Sequence, residues 1–178
     1  MALRLVEFRP HDVERIDAWF DDAETRRWLG GRDWIRRAPS LLTKTIGDEY
    51  RGKNVTGRMM WLGLDGAGEP VSFVDGEIYD RYASWDGSDW DHPVVSDVVT
   101  VPSMGLTVVV DPARRREGFG SATLHAVIDH PETSDVMLFF GSVDVENAAS
   151  IACARRAGFR RRTIEPDFEG MLHFSFER

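Results

Sequence analysis

The chain has a single cysteine, Cys153, among its 178 residues. That excludes an internal disulfide and a cysteine-based zinc site, and a reducing cytoplasm is the expected setting. No apolar run approaches the ~20 residues that a membrane-crossing helix needs. The opening Met-Ala-Leu-Arg-Leu-Val-Glu lacks the apolar core of a secretory signal, so none is expected. Positive charge is in deficit: the formal net charge is -8, which argues against a general nucleic-acid binder. The five histidines, His11, His92, His125, His130 and His173, show no metal-ligand spacing, and no metal site is expected. Internal repeats, low-complexity tracts and linkers are missing as well. The expectation is one domain over residues 1–178.

What is present is an ordinary globular composition, 42% hydrophobic and 29% charged, with its charges unevenly placed. Asp75, Glu77, Asp80, Asp86, Asp89, Asp91 and Asp97 share a stretch in which Arg81 is the one basic residue. Arg114, Arg115, Arg116, Arg155, Arg156, Arg160, Arg161 and Arg162 gather later. Two solvated faces would account for this; so would one site for a cation and another for an anion.

Periodicity predicts mixed α and β structure. Leu3 to Phe8 reads as a strand and His11 to Phe20 as an amphipathic helix, with Val13, Ile16, Trp19 and Phe20 on one side. Pro39-Ser40 opens a second predicted helix bearing Leu42, Ile46 and Tyr50. Met59 to Leu64 and Val71 to Tyr79 are strands around an Asp-Gly-Ala-Gly turn. Residues 80–92 read as a long loop, which implies a functional segment. Strands follow at Val94 to Val101, Leu106 to Val110, Val136 to Phe140, Phe159 to Thr163 and Met171 to Phe176. Helices are predicted from Gly118 to Ile128 and from Asn147 to Ala157.

The chemistry concentrates in Val108 to Ala122, a strand, a Gly-rich turn and a helix start. Gly118 and Gly120 remove Cβ atoms where backbone must approach a ligand. Unpaired N–H groups of the first helical turn favour an anion, and Arg114 to Arg116 add charge beside them. Together these make a phosphate cradle. It is not the dinucleotide fingerprint, because Thr123 stands where the third glycine belongs, and it is not a P-loop, which needs Gly-Lys-Ser/Thr. A purely structural strand–turn–helix is the plain alternative.

Arg115-Arg-Glu-Gly118-Phe-Gly120 resembles the Arg/Gln-x-x-Gly-x-Gly/Ala signature of the GNAT N-acetyltransferases. Asn147-Ala-Ala-Ser150, followed by a helix ending in Gly158-Phe159, is similar to that family's second element, and the spacing leaves room for one helix and one strand. The upstream order of one strand, two helices and three strands also matches, although residues 79–102 exceed the usual hairpin connection. The N-terminal run with Trp19, Asp21, Asp22, Glu24 and Trp28 resembles the aminoglycoside and ribosomal-protein acetyltransferase branch.

The resemblance implies an α/β fold whose mostly antiparallel sheet splays around acetyl-CoA, the co-substrate. It implies that backbone amides from Arg116 through Phe119 and Gly120 to Ser121 hold the pyrophosphate, with Arg115 and Gly118 in the same loop. It implies that Val108 and Val110 pair with the pantetheine arm, with Asn147 and Ser150 nearby. Arg155 and Arg156 either reach the 3′-phosphate or cover the helix surface. Many members carry a tyrosine seven residues after the Asn, whose hydroxyl protonates the leaving thiolate; Ala154 stands there instead. Cys153, mid-helix in an apolar pattern, is a poor nucleophile candidate.

The implied reaction is direct acetyl transfer to an amine, without an acyl-enzyme. Carboxylates bind ammonium groups, and Trp faces attract cations or stack on sugars. Trp85, Asp86, Asp89 and Trp90 are therefore the acceptor-site candidates, with Asp91, then Asp97, as general base. A small polycationic amine of aminoglycoside type is the expected partner. Acetylation of a protein N-terminus or lysine is the second reading. A non-catalytic acyl-CoA sensor, encouraged by Ala154, is the third. A homodimer is left open; nucleic acid and membrane are not expected partners.

Overall fold

The computed structural model describes residues 2–44, 46–86, 91 and 94–178, with backbone alone at Thr43, Lys44, Trp85 and Asp86. In chain order, β1 spans Arg4–Glu7. Short helix α1, Val13–Ile16, is flanked by 3₁₀ turns at Pro10–Asp12 and Asp17–Asp21. Then come α2, Ala23–Leu29, and α3, Arg32–Lys44. β2 is Glu49–Tyr50, β3 Lys53–Leu64 and β4 Pro70–Tyr79. β5, Tyr82–Asp86, and β6, Val94–Val99, precede β7, Ser103–Val110. α4 is Phe119–Ile128, β8 Leu138–Asp144 and α5 Ala148–Arg156. β9, Arg160–Arg161, and β10, Met171–Glu177, end the fold.

The main sheet runs β1-β3-β4-β7-β8-β10-β9, with β2 beside β3. Every pairing in it is antiparallel except β7 with β8. Alternation along each strand feeds two cores. Trp61, Val74, Met104 and Phe139 face α4 and α5. Met60, Leu62, Phe73 and Val109 face the N-terminal helices. The result is the expected mostly antiparallel sheet with helices on both faces. No helix among the described residues is long and apolar enough to cross a membrane.

Three local expectations need correction. The helix placed at Pro39 starts at Arg32 and passes through that proline. Ile35, Ala38, Leu41 and Leu42 hold it against the core at helical spacing, which outweighs the one backbone bond the proline removes. The helix expected over residues 11–20 breaks into 3₁₀ and α pieces, and the chain restarts at α2 where Asp22 caps Thr25 N–H at 2.9 Å. The long loop from Asp80 is in part a strand: Tyr82 to Asp86 pairs with Val94 to Val99 as a separate two-stranded ribbon.

Candidate functional site

β7 and β8 begin side by side, pairing at Ser103, Met104 and Gly105, and pair no further. Beyond Gly105 and Phe140 they diverge. The opening is the wall of a cleft of about 800 Å³ lined by residues 106–110 and 140–144. That is large enough for a cofactor arm, within the ~300–1,000 Å³ usual for ligand sites.

Ladder parity says which backbone groups face the opening. Asp111 N–H donates to Val71 O at 3.0 Å, so the residue pairs 71/111, 73/109 and 75/107 are the hydrogen-bonded ones. The N–H and C=O groups of Leu106, Val108 and Val110 therefore point away from β4, toward the divergence. A Cβ on Gly141 would lie 3.3 Å from Leu106 O, which agrees with that direction. Val108 and Val110 both line the cleft.

At the far end of β7 the chain turns through Arg116 and Gly118, with φ of 67° and 93°, into α4. Gly118 is the N-cap and supplies no side-chain bond, so the first-turn N–H groups remain for a ligand. A Cβ on Gly120 would sit 2.8 Å from Cys153 Sγ and 3.4 Å from Val110 Cγ2, so this position tolerates no side chain without rearrangement. Arg115, Arg116, Gly118, Phe119, Gly120 and Ser121 all line the cleft. Arg115 is already engaged: its guanidinium donates to Asp22 at 2.6 Å, Glu24 at 2.9 Å and Thr25 Oγ1 at 2.7 Å. Those contacts fasten the glycine turn to α2; the Thr25 N–H bond first, and then Arg115, hold the Asp22 carboxyl below its usual range.

Across the cleft, Asn147 Oδ1 accepts from Ser150 N–H at 3.0 Å and caps α5. Both residues line the cleft, as does Arg156; Arg155 does not. Ala154 is buried in the same wall. Burial pushes the Cys153 thiol up, the opposite of what an activated nucleophile needs.

The face of the sheet toward α1–α3 carries a charge cluster that the motifs did not single out. Asp75 sits opposite Thr107, a cleft residue. Arg58 grips Asp75 through Nε at 2.9 Å and reaches Glu77 through Nη1 at 2.9 Å. Tyr79 OH donates to the other Glu77 oxygen. Burial pushes the Asp75 carboxyl up despite Arg58, which pulls it down. Burial and Glu77 raise the Tyr79 phenol well above its usual range. Behind them Lys53 is 4% exposed, with Nζ 3.1 Å from Ala83 O and facing the Tyr79 and Phe140 rings. Burial, helped by Arg51, lowers its pKa to about 8. Asp75, Glu77 and Tyr79 alternate along one strand. Three such residues on one face were the available signal; in sequence Asp75 and Glu77 belong to an acidic stretch that could be a cation site, and the β3–β4 register is what sets Arg58 against them.

The acceptor candidates from sequence do not join this cluster where they are described. Asp97, at φ 45°, pairs with Arg162 at 2.8 Å, away from the cleft lining. Arg162 also lies over Tyr82, so this pair pins the β5–β6 ribbon to the sheet edge. Asp91 is exposed. Trp85 and Asp86 are on β5, and Asp89 and Trp90 lie outside the described residues. Trp28, noted in sequence only for the N-terminal resemblance, is a cleft-wall residue. Among the described residues, no group of three potential metal ligands occurs.

Comparisons with known proteins agree with this geometry. The sequence model of the acetyltransferase (GNAT) domain matches residues 2–160. The uncharacterized N-acetyltransferase YfmK of Bacillus subtilis is 31% identical over 165 residues, covering 90% of this chain and 87% of that one. The ribosomal protein bS18 alanine N-acetyltransferase of Escherichia coli is 32% identical over 74 residues, 42% of this chain and 50% of that one. The aminoglycoside acetyltransferase AAC(6')-Ib, solved with coenzyme A, superimposes with a TM-score of 0.71 at 17% identity, covering 99% of this chain and 95% of that one. A family match over most of the chain, a sheet that splays open between β7 and β8, and an uncapped glycine turn at its mouth lead to one assignment: the chain belongs to the GNAT family of acetyltransferases and uses acetyl-CoA as co-substrate.

Proposed function

We propose that this N-acetyltransferase acts on a primary amine of a small polycationic molecule of aminoglycoside type, by direct attack on the thioester. The observation that carries the reading is the Asp75–Glu77 carboxylate pair, one strand away from the cleft at Thr107. An ammonium group is drawn to such carboxylates, and the amine must lose its proton before it attacks. Glu77, 21% exposed at its side chain, is the group placed to take that proton through hydrogen-bond reach or one water. Asp75 is buried beneath Arg58 and positions the pair.

Backbone amides of 116–121 would hold the pyrophosphate, and Val108 and Val110 the pantetheine arm. An N–H of β7 facing the opening would meet the thioester oxygen as the carbonyl carbon becomes tetrahedral. The C–N bond forms, the C–S bond breaks, coenzyme A departs as its thiolate, and the second N–H proton passes from the adduct nitrogen to water or to that thiolate. A thiolate of pKa about 8.5 is tolerable as a leaving group at neutral pH, so Ala154 does not block the reaction. The acidic run in the sequence, with Asp86, Asp89 and Asp91, would steer a polycation toward the cleft. AAC(6')-Ib, which shares the fold, has also been solved with coenzyme A and kanamycin.

Transfer to a protein N-terminus is the second reading, favoured by the half-length similarity to the bS18 enzyme. Thiol release from acetyl-CoA, corrected for hydrolysis, separates the two across kanamycin, spermidine and alanine-terminated peptides. The proposal expects kcat/KM at least about tenfold higher for the polycations. It also expects that advantage to shrink with salt and with replacement of Asp86, Asp89 and Asp91 by Asn. A preference for peptides would favour the second reading, and no amine-dependent release at all would favour an acyl-CoA sensor.

A further inference from the structure

α2 is tied to the ends of both diverging strands. At its start, Asp22, Glu24 and Thr25 hold Arg115, in the loop that follows β7. Near its end, Arg27 pairs with Glu146, in the turn that follows β8. The helix therefore crosses the open end of the divergence. Trp28, in its last turn, lines both the main cleft and an adjoining recess formed with Glu24, Arg27, Glu146, Asn147 and Ala149.

The Trp28 indole N–H is sealed from solvent and has no hydrogen-bond partner among the described residues. A buried donor left unsatisfied is disfavoured, and native proteins rarely keep one without a use. Arg27 lies over the same ring, 4.4 Å from its centroid, so the guanidinium that fastens α2 to Glu146 also covers the indole.

We propose that Trp28 donates its indole N–H to an amide carbonyl of the pantetheine arm, making α2 the third wall of the cofactor slot. Position selects the arm over the other parts of the two substrates. The nucleotide phosphates belong to the 116–121 turn, after β7. The acceptor meets the thioester near Gly105 and Phe140, where the strands separate. Trp28 stands at the open end beside the capped first turn of α5, where the arm must pass to run from the 116–121 turn into the divergence. A pantetheine amide offers a carbonyl acceptor at that depth. Binding of the arm would supply the acceptor that the indole N–H lacks among the described residues. The inference rests on acetyl-CoA occupying the divergence between β7 and β8.

The test uses Trp28→Phe, which keeps an aromatic ring and removes the N–H. Calorimetry is done with coenzyme A and with adenosine 3′,5′-bisphosphate, which has no pantetheine arm. Coenzyme A binding by the wild-type chain checks the cofactor reading itself. The variant should bind coenzyme A about tenfold more weakly and the bisphosphate unchanged, with KM for the amine unchanged. Unaltered coenzyme A affinity overturns the proposal. So does an equal loss for both ligands, or a rise in the amine KM alone, which would move Trp28 to the acceptor site. Arg27→Gln, which removes the pair with Glu146 and leaves the indole, should retain coenzyme A affinity within about threefold; a tenfold loss would assign the effect to the fastening of α2.

Discussion

The proposed cofactor and acceptor sides of this protein are built on different principles. The cofactor side, residues 106–121 and 147–159, uses backbone: an open strand edge, a glycine turn and an uncapped helix start. Its side chains matter chiefly by being small, as at Gly120 and Ala154. The proposed acceptor side uses side chains brought together from β3 and β4, with Arg58, Asp75, Glu77 and Tyr79 joined in one largely buried charged cluster above Lys53, one strand away from the cleft wall. Backbone recognition requires a fixed local conformation and so leaves a short, ordered motif. Side-chain recognition requires only that strands lie in register, which leaves no contiguous mark.

The largest expected effect breaks the first half of that comparison. Gly120→Asp puts a carboxylate in the phosphate turn and a Cβ against Cys153 Sγ. Coenzyme A affinity should fall more than about a hundredfold in a chain whose thermal melt still shows a cooperative fold. Retained affinity in calorimetry would mean the turn does not hold the pyrophosphate.

Glu77→Gln probes the second half. The shape and the Tyr79 contact survive while the base is lost. An approximately hundredfold fall in kcat is expected, within the usual range for a general base, with coenzyme A affinity unchanged. An unchanged kcat would point to a carboxylate elsewhere, with Asp91 and Asp97 next in line.

Lys53 separates stability from catalysis on that same side. Its folded pKa of about 8 lies below the unfolded 10.5, so the unfolded chain binds more protons between those values. Stability should therefore rise as pH increases from about 8 to 10.5, and the buried charge opposes folding below that window. Lys53→Met should remove this rise and stabilise the fold near pH 7 by about 1–2 kcal/mol, less than the full shift because the Ala83 carbonyl loses its donor. Denaturant melts across that pH range would show it; a flat wild-type profile would contradict it.

The smallest effect belongs to Ala154→Tyr. A hydroxyl placed there should change kcat by less than about tenfold, or reduce it through crowding. A larger gain in steady-state assays would mean that protonation of the thiolate limits turnover.

The same contrast explains what could be read in the sequence. Gly118, Gly120 and Asn147 announced strand, turn and helix because each residue type answers a local backbone need. The hydrophobic alternation of β3, β4 and β7 announced the sheet. Pro39 misled because a local helix-start signal conflicted with apolar spacing that begins upstream at Trp34 and Ile35. Arg115 read as a phosphate ligand, and its ties to Asp22 and Glu24 cross some 90 residues of sequence that no motif spans. The Arg58–Asp75–Glu77 cluster was legible in part, since acids at alternate positions in a buried strand need a partner, but the partner's identity required the β3–β4 register.

The most direct test is a structure of the chain with coenzyme A and kanamycin bound together. The expected result is the pantetheine arm lying between Leu106–Val110 and Phe140–Asp144, bonded to backbone groups of Val108 and Val110. The kanamycin amine nearest the sulfur should lie on the α1–α3 face of the sheet, within hydrogen-bond reach of Glu77 directly or through one water. An arm bound outside the β7–β8 opening, or an amine approaching from the α4–α5 face, would contradict the account.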